Sequence, residues 1–237
     1  MLERVIGWTV LLSTTVSVAQ AGDRTSADMA RPVAPSAAYS GAVETIDQFC
    51  GGLRPMTLEK KRRRLFGLFS KDDHDKGSWI EFARESDLNA AVKEEHVFDL
   101  AQVWSREDGA TAVSMRLSSG SGDWFHFVEY CFRSDGTLAR VNSTLNTFNA
   151  VDKDPEKDVK GASRERERYF DASGTQIKVS RRVLNLQTKR QAPTLQVMDD
   201  EEPIYKKTTA LPFSRLLGPP RRAAQLGVAP DGASPRR

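Results

Sequence analysis

The stretch WFHFVEYCFRSDGTLARVN at residues 124–142 decides the fold, because it encodes two strands joined by a tight turn. An aromatic-rich run ends in Ser134-Asp135-Gly136, and a run of alternating apolar and polar residues follows. Glycine adopts the positive φ angle that such a turn requires, and Asp or Ser hydrogen-bonds the turn backbone. The design recurs after Phe170, where Ala172-Ser173-Gly174 forms the turn. Two copies of one hairpin predict an antiparallel sheet.

Further alternating runs extend the predicted sheet on both sides of the first hairpin. In up-and-down order, the predicted strands are residues 97–106, 110–118, 124–133, 137–148, 164–171 and 175–186. Mostly short turns between consecutive strands are typical of a meander, which is expected to form a curled sheet or a partial barrel, with its closure left open. The sequence therefore predicts an α+β fold, mainly β, with an antiparallel meander over residues 97–187.

The region before the meander, residues 41–70, is predicted to be helical in two pieces that pack on the sheet. Ala42, Val43, Ile46 and Phe49 recur at spacings of three and four, as on one face of a helix. After Pro55, a second predicted helix has an apolar side and a strongly basic side. It is a candidate contact for anionic lipid head groups or an acidic partner, and the alternative is a helix that docks on the sheet. Its candidate contact residues are Lys60, Lys61, Arg62, Arg63, Arg64, Phe66 and Phe69. Residues 79–92 are predicted as a short strand and then a helical turn.

Both ends of the chain differ in composition from the predicted globular domain at residues 41–188. Residues 1–21 have a short charged start, an apolar run and a small-x-small ending, which predict a signal peptide cleaved after Ala21. Residues 22–40 are predicted to be a flexible leader. The proline-containing stretch 189–237 is predicted to be a mostly disordered tail, with a docked segment at 204–205 or 211–217. The expected location is periplasmic or secreted.

Net charge and cysteine content restrict the classes of partner. The formal net charge of +3 is too small to indicate nucleic acid as the main partner. Cys50 and Cys131 are the two cysteines, and in an oxidising compartment an even count without metal spacing favours one disulfide. Such a bridge would staple the N-terminal segment onto the sheet, with a stabilisation of roughly 4 to 5 kcal/mol in the chain-entropy model.

The strand at residues 124–133 carries bulky side chains on both faces, so both faces are expected to be covered. Phe125, Phe127, Glu129 and Cys131 share one face. The opposite face is a candidate lining for an apolar ligand or a partner, and the alternative is a packed core. That face carries Trp124, His126, Val128, Tyr130 and Phe132.

No catalytic, metal or cofactor motif is predicted. His74, His96 and His126 do not stand at metal-ligand spacing. The acidic loop that starts at Asp152 resembles a calcium loop at first, but Lys157 stands where glycine is needed and Ser163 where a bidentate glutamate should close it. The serines at 119 and 121 lack the flanking pattern of a nucleophile elbow or a phosphate loop.

Together these features predict an exported, non-enzymatic domain of a bacterial cell envelope that binds an unidentified protein partner or an apolar ligand. One alternative is a periplasmic hydrolase with His126 or Glu129 in a site on the sheet. The other is a structural protein held at a membrane surface by the basic amphipathic helix.

Overall fold

The computed structural model of the 237-residue chain describes residues 37–58, 63–70, 77–152, 161–197 and 202–218. The predicted signal peptide and most of the predicted leader lie outside these ranges, as do Lys60, Lys61 and Arg62. The fold is α+β and mainly β, as the sequence predicts. The helices are α1 (Ala37–Gly51), α2 (Arg54–Thr57), α3 (Glu85–Lys93) and α4 (Ser214–Leu217).

An antiparallel sheet of eight strands forms the body of the molecule, in the order β2-β1-β3-β4-β5-β6-β8-β9. Because β2 and β9 stand at opposite edges, the sheet is open and the predicted meander does not close into a barrel. A two-stranded ladder pairs β7 with β10. The strands are β1 (Arg64–Phe69), β2 (Ser78–Phe82), β3 (Val97–Ser105), β4 (Thr111–Ser118), β5 (Trp124–Phe132), β6 (Leu138–Thr147), β7 (Val151–Asp152), β8 (Ala162–Phe170), β9 (Gln176–Asn185) and β10 (Leu195–Gln196).

Both predicted hairpins form, and each has glycine where the turn needs it. Gly136 has a φ of +81° between β5 and β6, and Gly174 has a φ of +83° between β8 and β9. The carboxylate of Asp135 accepts the backbone N–H of Thr137 at 2.9 Å. In both hairpins the register shifts at the last residue before the turn, which is the bulge that accompanies such loops.

The prediction of a second helix is wrong, because residues 64–69 form strand β1. This strand lies between β2 and β3, and Leu65 and Phe66 are both buried, one on each face of the sheet. A strand buried on both faces has no apolar–polar alternation, so periodicity does not separate it from a helix. The basic amphipathic helix of the sequence analysis therefore does not form at Arg64, Phe66 or Phe69.

One face of the sheet, here called the core face, is covered by the chain's own C-terminal region. It carries alternate residues of the central strands, and residues 202–218, here called the C-terminal strap, pack across it. Phe213 of the strap stacks on Phe66 with ring centroids 4.7 Å apart and contacts Trp79 at 5.1 Å. The buried cluster comprises Phe66, Ala101, Val103, Val113, Met115, Val128, Tyr130, Phe132, Leu138, Val141, Phe170, Leu211 and Phe213.

Buried core residues also occur beyond residue 188, where the sequence places the end of the globular domain. Leu195 and Val197 are buried against Leu145 and Ala162. Leu211 and Phe213 complete the main core, within the 211–217 segment that the sequence marks for docking. The described part of this region contains only short regular elements, among them β10 and α4, but a mostly irregular segment can still bury apolar side chains.

Polar contacts hold the strap at several points along its length. Glu202 is buried and pairs with Arg166 at 2.9 Å and Arg168 at 2.7 Å. The backbone N–H of Leu138 donates to the carbonyl of Lys206 at 3.0 Å. At the other end, Arg64 donates to the carbonyl of Leu217 at 2.7 Å. The strap is thus tied to strands at both sides of the sheet.

The opposite face, here called the helix face, is covered by α1 at one end and by α3 at the other. The predicted disulfide is present: Cys50 of α1 is bonded to Cys131 of β5. Asp47 of α1 also accepts hydrogen bonds from Arg140 at 2.6 Å and from the Tyr169 hydroxyl at 2.9 Å. The bridge therefore staples the N-terminal helix onto the sheet. Within the described ranges, no helix is both long and apolar enough to cross a membrane.

Candidate functional site

The predicted apolar ligand face lies on the core face, where the chain fills it with its own side chains. His126, Val128, Tyr130 and Phe132 are each at most 4% exposed, and Trp124 is half-buried. The Tyr130 hydroxyl donates to the carbonyl of Pro203 in the strap at 2.6 Å, and burial raises the pKa of Tyr130. These five residues therefore belong to the packed core, which is the alternative that the sequence left open.

The described part of the predicted basic cluster is engaged in intramolecular contacts. Arg63 pairs with Glu85 of α3 at 2.8 Å. Arg64 donates twice to Glu81 of β2, each time at 2.7 Å, and this pairing raises its pKa. Both arginines tie β1 to neighbouring elements.

His126 and Glu129, named for the hydrolase alternative, project from opposite faces of β5. His126 is buried on the core face beside its cross-strand neighbours Leu117 and Leu145. Glu129 is exposed on the helix face. The two side chains therefore cannot act on one substrate. Among the described residues, no three His, Cys, Asp or Glu side chains are grouped so as to hold a metal ion.

The helix face carries a straight line of hydrogen-bonding side chains between the two helices. These residues are in direct register across β3, β4, β5, β6, β8 and β9, with one residue on each strand. We call them the polar row. Neighbouring strands are about 4.8 Å apart, so five steps span about 24 Å. The polar row consists of Gln102, Ser114, Glu129, Asn142, Glu167 and Ser180.

Two adjoining cavities lie along the polar row. The first, of about 590 Å³, is bounded by α1 and α2 and by Trp104, Glu129 and Arg140. The second, of about 450 Å³, is bounded by β6, β8 and β9 and includes Glu167 and Ser180. Asn142 lines both cavities, so the polar row connects them.

The row beside it, on the side away from α1, is more mixed in chemistry. Phe127 is the exposed aromatic residue of this row, with 42% of its surface accessible. Glu165 and Arg182, at its far end, form a salt bridge across β8 and β9. This neighbouring row consists of Leu100, Arg116, Phe127, Thr144, Glu165 and Arg182.

Several groups of the polar row have spare hydrogen-bonding capacity. Within the described chain, no side-chain hydrogen bond involves Ser114, Glu129 or Ser180, and Oδ1 of Asn142 is buried without a partner. Buried polar atoms are normally hydrogen-bonded, so an unsatisfied acceptor in a cavity wall needs an explanation. Glu167 interacts with Tyr169, where burial, then Asp47, then Glu167 raise the pKa of the tyrosine hydroxyl.

The polar row is not predicted from the sequence. The residues are spread over six strands, the last lies 78 positions after the first, 180 minus 102, and no short motif contains them. Only the strand register aligns them. The available signal was the alternation of each strand, which places Glu129 away from the apolar side of β5.

The arrangement can bind a ligand through many weak, directional contacts, and its polar groups are spread out instead of converging on one point. Comparisons with protein-family models, with curated proteins and with solved structures find no match to this chain.

Proposed function

We propose that the chain is an exported, non-enzymatic binding domain of a bacterial cell envelope, and that the polar row is its binding surface. The proposal rests on a difference between the two faces of the sheet in how far the chain's own side chains cover them. The core face is filled by the strap, whereas the polar row lies along two cavities and retains unused hydrogen-bonding groups. Ligand sites are concave and contain a few well-placed polar groups.

Export is supported by two independent features. The N-terminal 21 residues have the pattern of a secretory signal peptide. The Cys50–Cys131 disulfide is a bond that persists in oxidising compartments and is rare in reducing ones.

A binding role fits the polar row better than catalysis. A catalytic acid, base or nucleophile has to lie within hydrogen-bond reach of one reacting bond. The two carboxylates of the polar row, Glu129 and Glu167, stand two strands apart, about 9.6 Å, at the far limit of the roughly 5 to 9.5 Å that separates paired catalytic carboxylates. A long ligand can contact all members of the row at once.

The test is binding of the full exported chain to isolated envelopes of its host, measured by co-sedimentation. We expect saturable binding, and we expect Glu129→Arg to weaken it at least tenfold, because the longer cationic side chain enters the first cavity. The matched control is Glu107→Arg in the exposed turn between β3 and β4, which should bind as the wild type does. Absence of wild-type binding, or equal binding by Glu129→Arg, would refute the proposal.

A further inference from the structure

We infer that the polar row binds an uncharged, unbranched oligosaccharide lying across the strands; this identification of the ligand rests on the proposed binding function.

The charge of the polar row favours a neutral ligand rich in hydroxyl groups. The row itself contains two carboxylates, Glu129 and Glu167, and no cation. Beside it in the cavity walls, Arg140 is paired with Asp47 and Arg182 with Glu165. Carboxylates accept hydrogen bonds from hydroxyl donors, and they repel an anionic ligand. The remaining members are amides and hydroxyls, which both donate and accept, as sugar hydroxyls do.

The direction of the polar row favours a sugar chain over a peptide. An extended peptide binds a sheet by pairing with the backbone of an edge strand, in line with the strands. The polar row crosses the strands from β3 to β9 and offers only side chains, at a repeat of about 4.8 Å. A linear sugar chain has hydroxyl groups on every ring and can contact one strand after another.

Phe127 adds an apolar surface beside the polar row. Its ring stands next to Glu129 along β5, on the same face, and is 42% exposed. The C–H faces of a sugar ring are apolar and pack on aromatic rings, while the hydroxyls at the ring edge remain free for hydrogen bonds. A ring placed on Phe127 would present its hydroxyl edge to Glu129 and Asn142.

Asn142 marks the centre of the expected site. It lies where the two cavities meet, and its Oδ1 atom has no hydrogen-bond partner in the described chain. A ligand hydroxyl that donates to this amide, after a rotation of the side chain, would satisfy the unpaired acceptor. Removal of the amide should therefore weaken binding more than it weakens the fold.

The experiment is isothermal titration calorimetry of the full chain with three neutral hexasaccharides: cellohexaose, maltohexaose and chitohexaose. We expect at least one to bind with a Kd below the millimolar range, and its affinity to fall at least tenfold for the corresponding disaccharide. A hexamer of galacturonic acid, which has the same length and carries carboxylates, should bind at least tenfold more weakly than the best neutral probe.

Two variants and one control assign the binding to the polar row. Phe127→Ala and Asn142→Ala should each raise the Kd at least fivefold with an unchanged thermal unfolding midpoint. Phe148→Ala removes an aromatic side chain that is 54% exposed beyond the end of β6, and it should bind as the wild type does.

The inference is overturned if no neutral probe binds at millimolar concentration, if the galacturonate binds more tightly, or if both variants bind like the wild type. Envelope binding that is lost in Glu129→Arg while all three neutral probes fail would refute the sugar ligand alone. Envelope binding that Glu129→Arg leaves intact would refute the proposed function itself.

Discussion

The two faces of the sheet are covered by different parts of the chain. On the core face, the strap supplies Leu211 and Phe213 to an apolar cluster, and Glu202 joins two arginines at a buried position. On the helix face, α1 and α3 cover the two ends and the polar row lies between them. Because successive residues of a strand point to opposite faces, every central strand contributes to both surfaces. The core face is therefore filled by apolar side chains along the central strands, whereas the helix face is packed under its two helices and keeps polar side chains between them.

The largest effect on stability should come from the disulfide that holds α1. Replacing both Cys50 and Cys131 by Ser removes a link between residues 81 positions apart. The chain-entropy model gives a loss of about 4.5 kcal/mol in the free energy of unfolding. Urea denaturation measures it, and the wild type with added reductant should match the variant. A loss below about 1 kcal/mol would show that the packing of α1 does not depend on the bridge.

The next largest effect should come from Phe213 on the core face. Phe213→Ala removes a side chain that is 1% exposed and stacks on Phe66. A buried Phe→Ala change costs about 3 to 5 kcal/mol. The control on the same strap is Leu216→Ala, at a residue that is 37% exposed, and it should cost much less. Equal costs in chemical denaturation would mean that the strap is not part of the core.

Carboxylates that form ion pairs on the two faces should differ in how much they contribute to the free energy of unfolding. Glu202→Ala removes a carboxylate that is 1% exposed and pairs with two arginines, so we expect a loss of about 3 kcal/mol. The matched variant Glu165→Ala breaks the pair with Arg182 on the helix face, where the arginine is 63% exposed, and should cost at most about 1 kcal/mol. Similar unfolding midpoints for both variants would contradict the difference between the faces.

The smallest expected effect on stability comes from Asp99 of β3. Burial raises its pKa, against the lowering effects of the Ser118 N–H and of Arg116. A carboxyl group whose pKa is higher in the folded than in the unfolded chain favours folding as the pH falls through the folded pKa. Above that pKa, its charge costs stability.

Asp99→Asn should therefore raise the free energy of unfolding slightly at pH 7 and reduce its pH dependence in the acidic range, as thermal melts between pH 3 and pH 7 would show. Glu129→Gln on the helix face is the control and should stay within about 0.5 kcal/mol of the wild type. Destabilisation by Asp99→Asn at neutral pH would contradict the assignment.

Much of this architecture could be predicted from the sequence because it depends on local signals. The turns at Gly136 and Gly174 require a positive φ. The alternation of apolar and polar residues on both sides of these turns predicts the ends of the central strands to within one or two residues. The disulfide follows from cysteine count and compartment. The fold class needed no long-range information.

The predictions from the sequence fail where the structure depends on burial of a strand on both faces or on contacts between distant residues. β1 lacks alternation because Leu65 and Phe66 are buried on opposite faces, and its neighbouring basic run favours a helical interpretation. The docking of Phe213 depends on a partner, Phe66, that lies 147 positions earlier, 213 minus 66. The polar row depends on the register of five strand pairings, which no single segment encodes.

The strap also determines when the protein can finish folding. The hydrogen bond between Arg64 and Leu217 joins residues 153 positions apart, so strand β1 is completed by a segment that is synthesised much later. Contacts of such high sequence separation slow folding and leave apolar surface exposed in the meantime. If the chain is threaded through a translocon from its N-terminus, its core stays incomplete until the strap has crossed, and we expect the unfinished chain to need a chaperone on the far side.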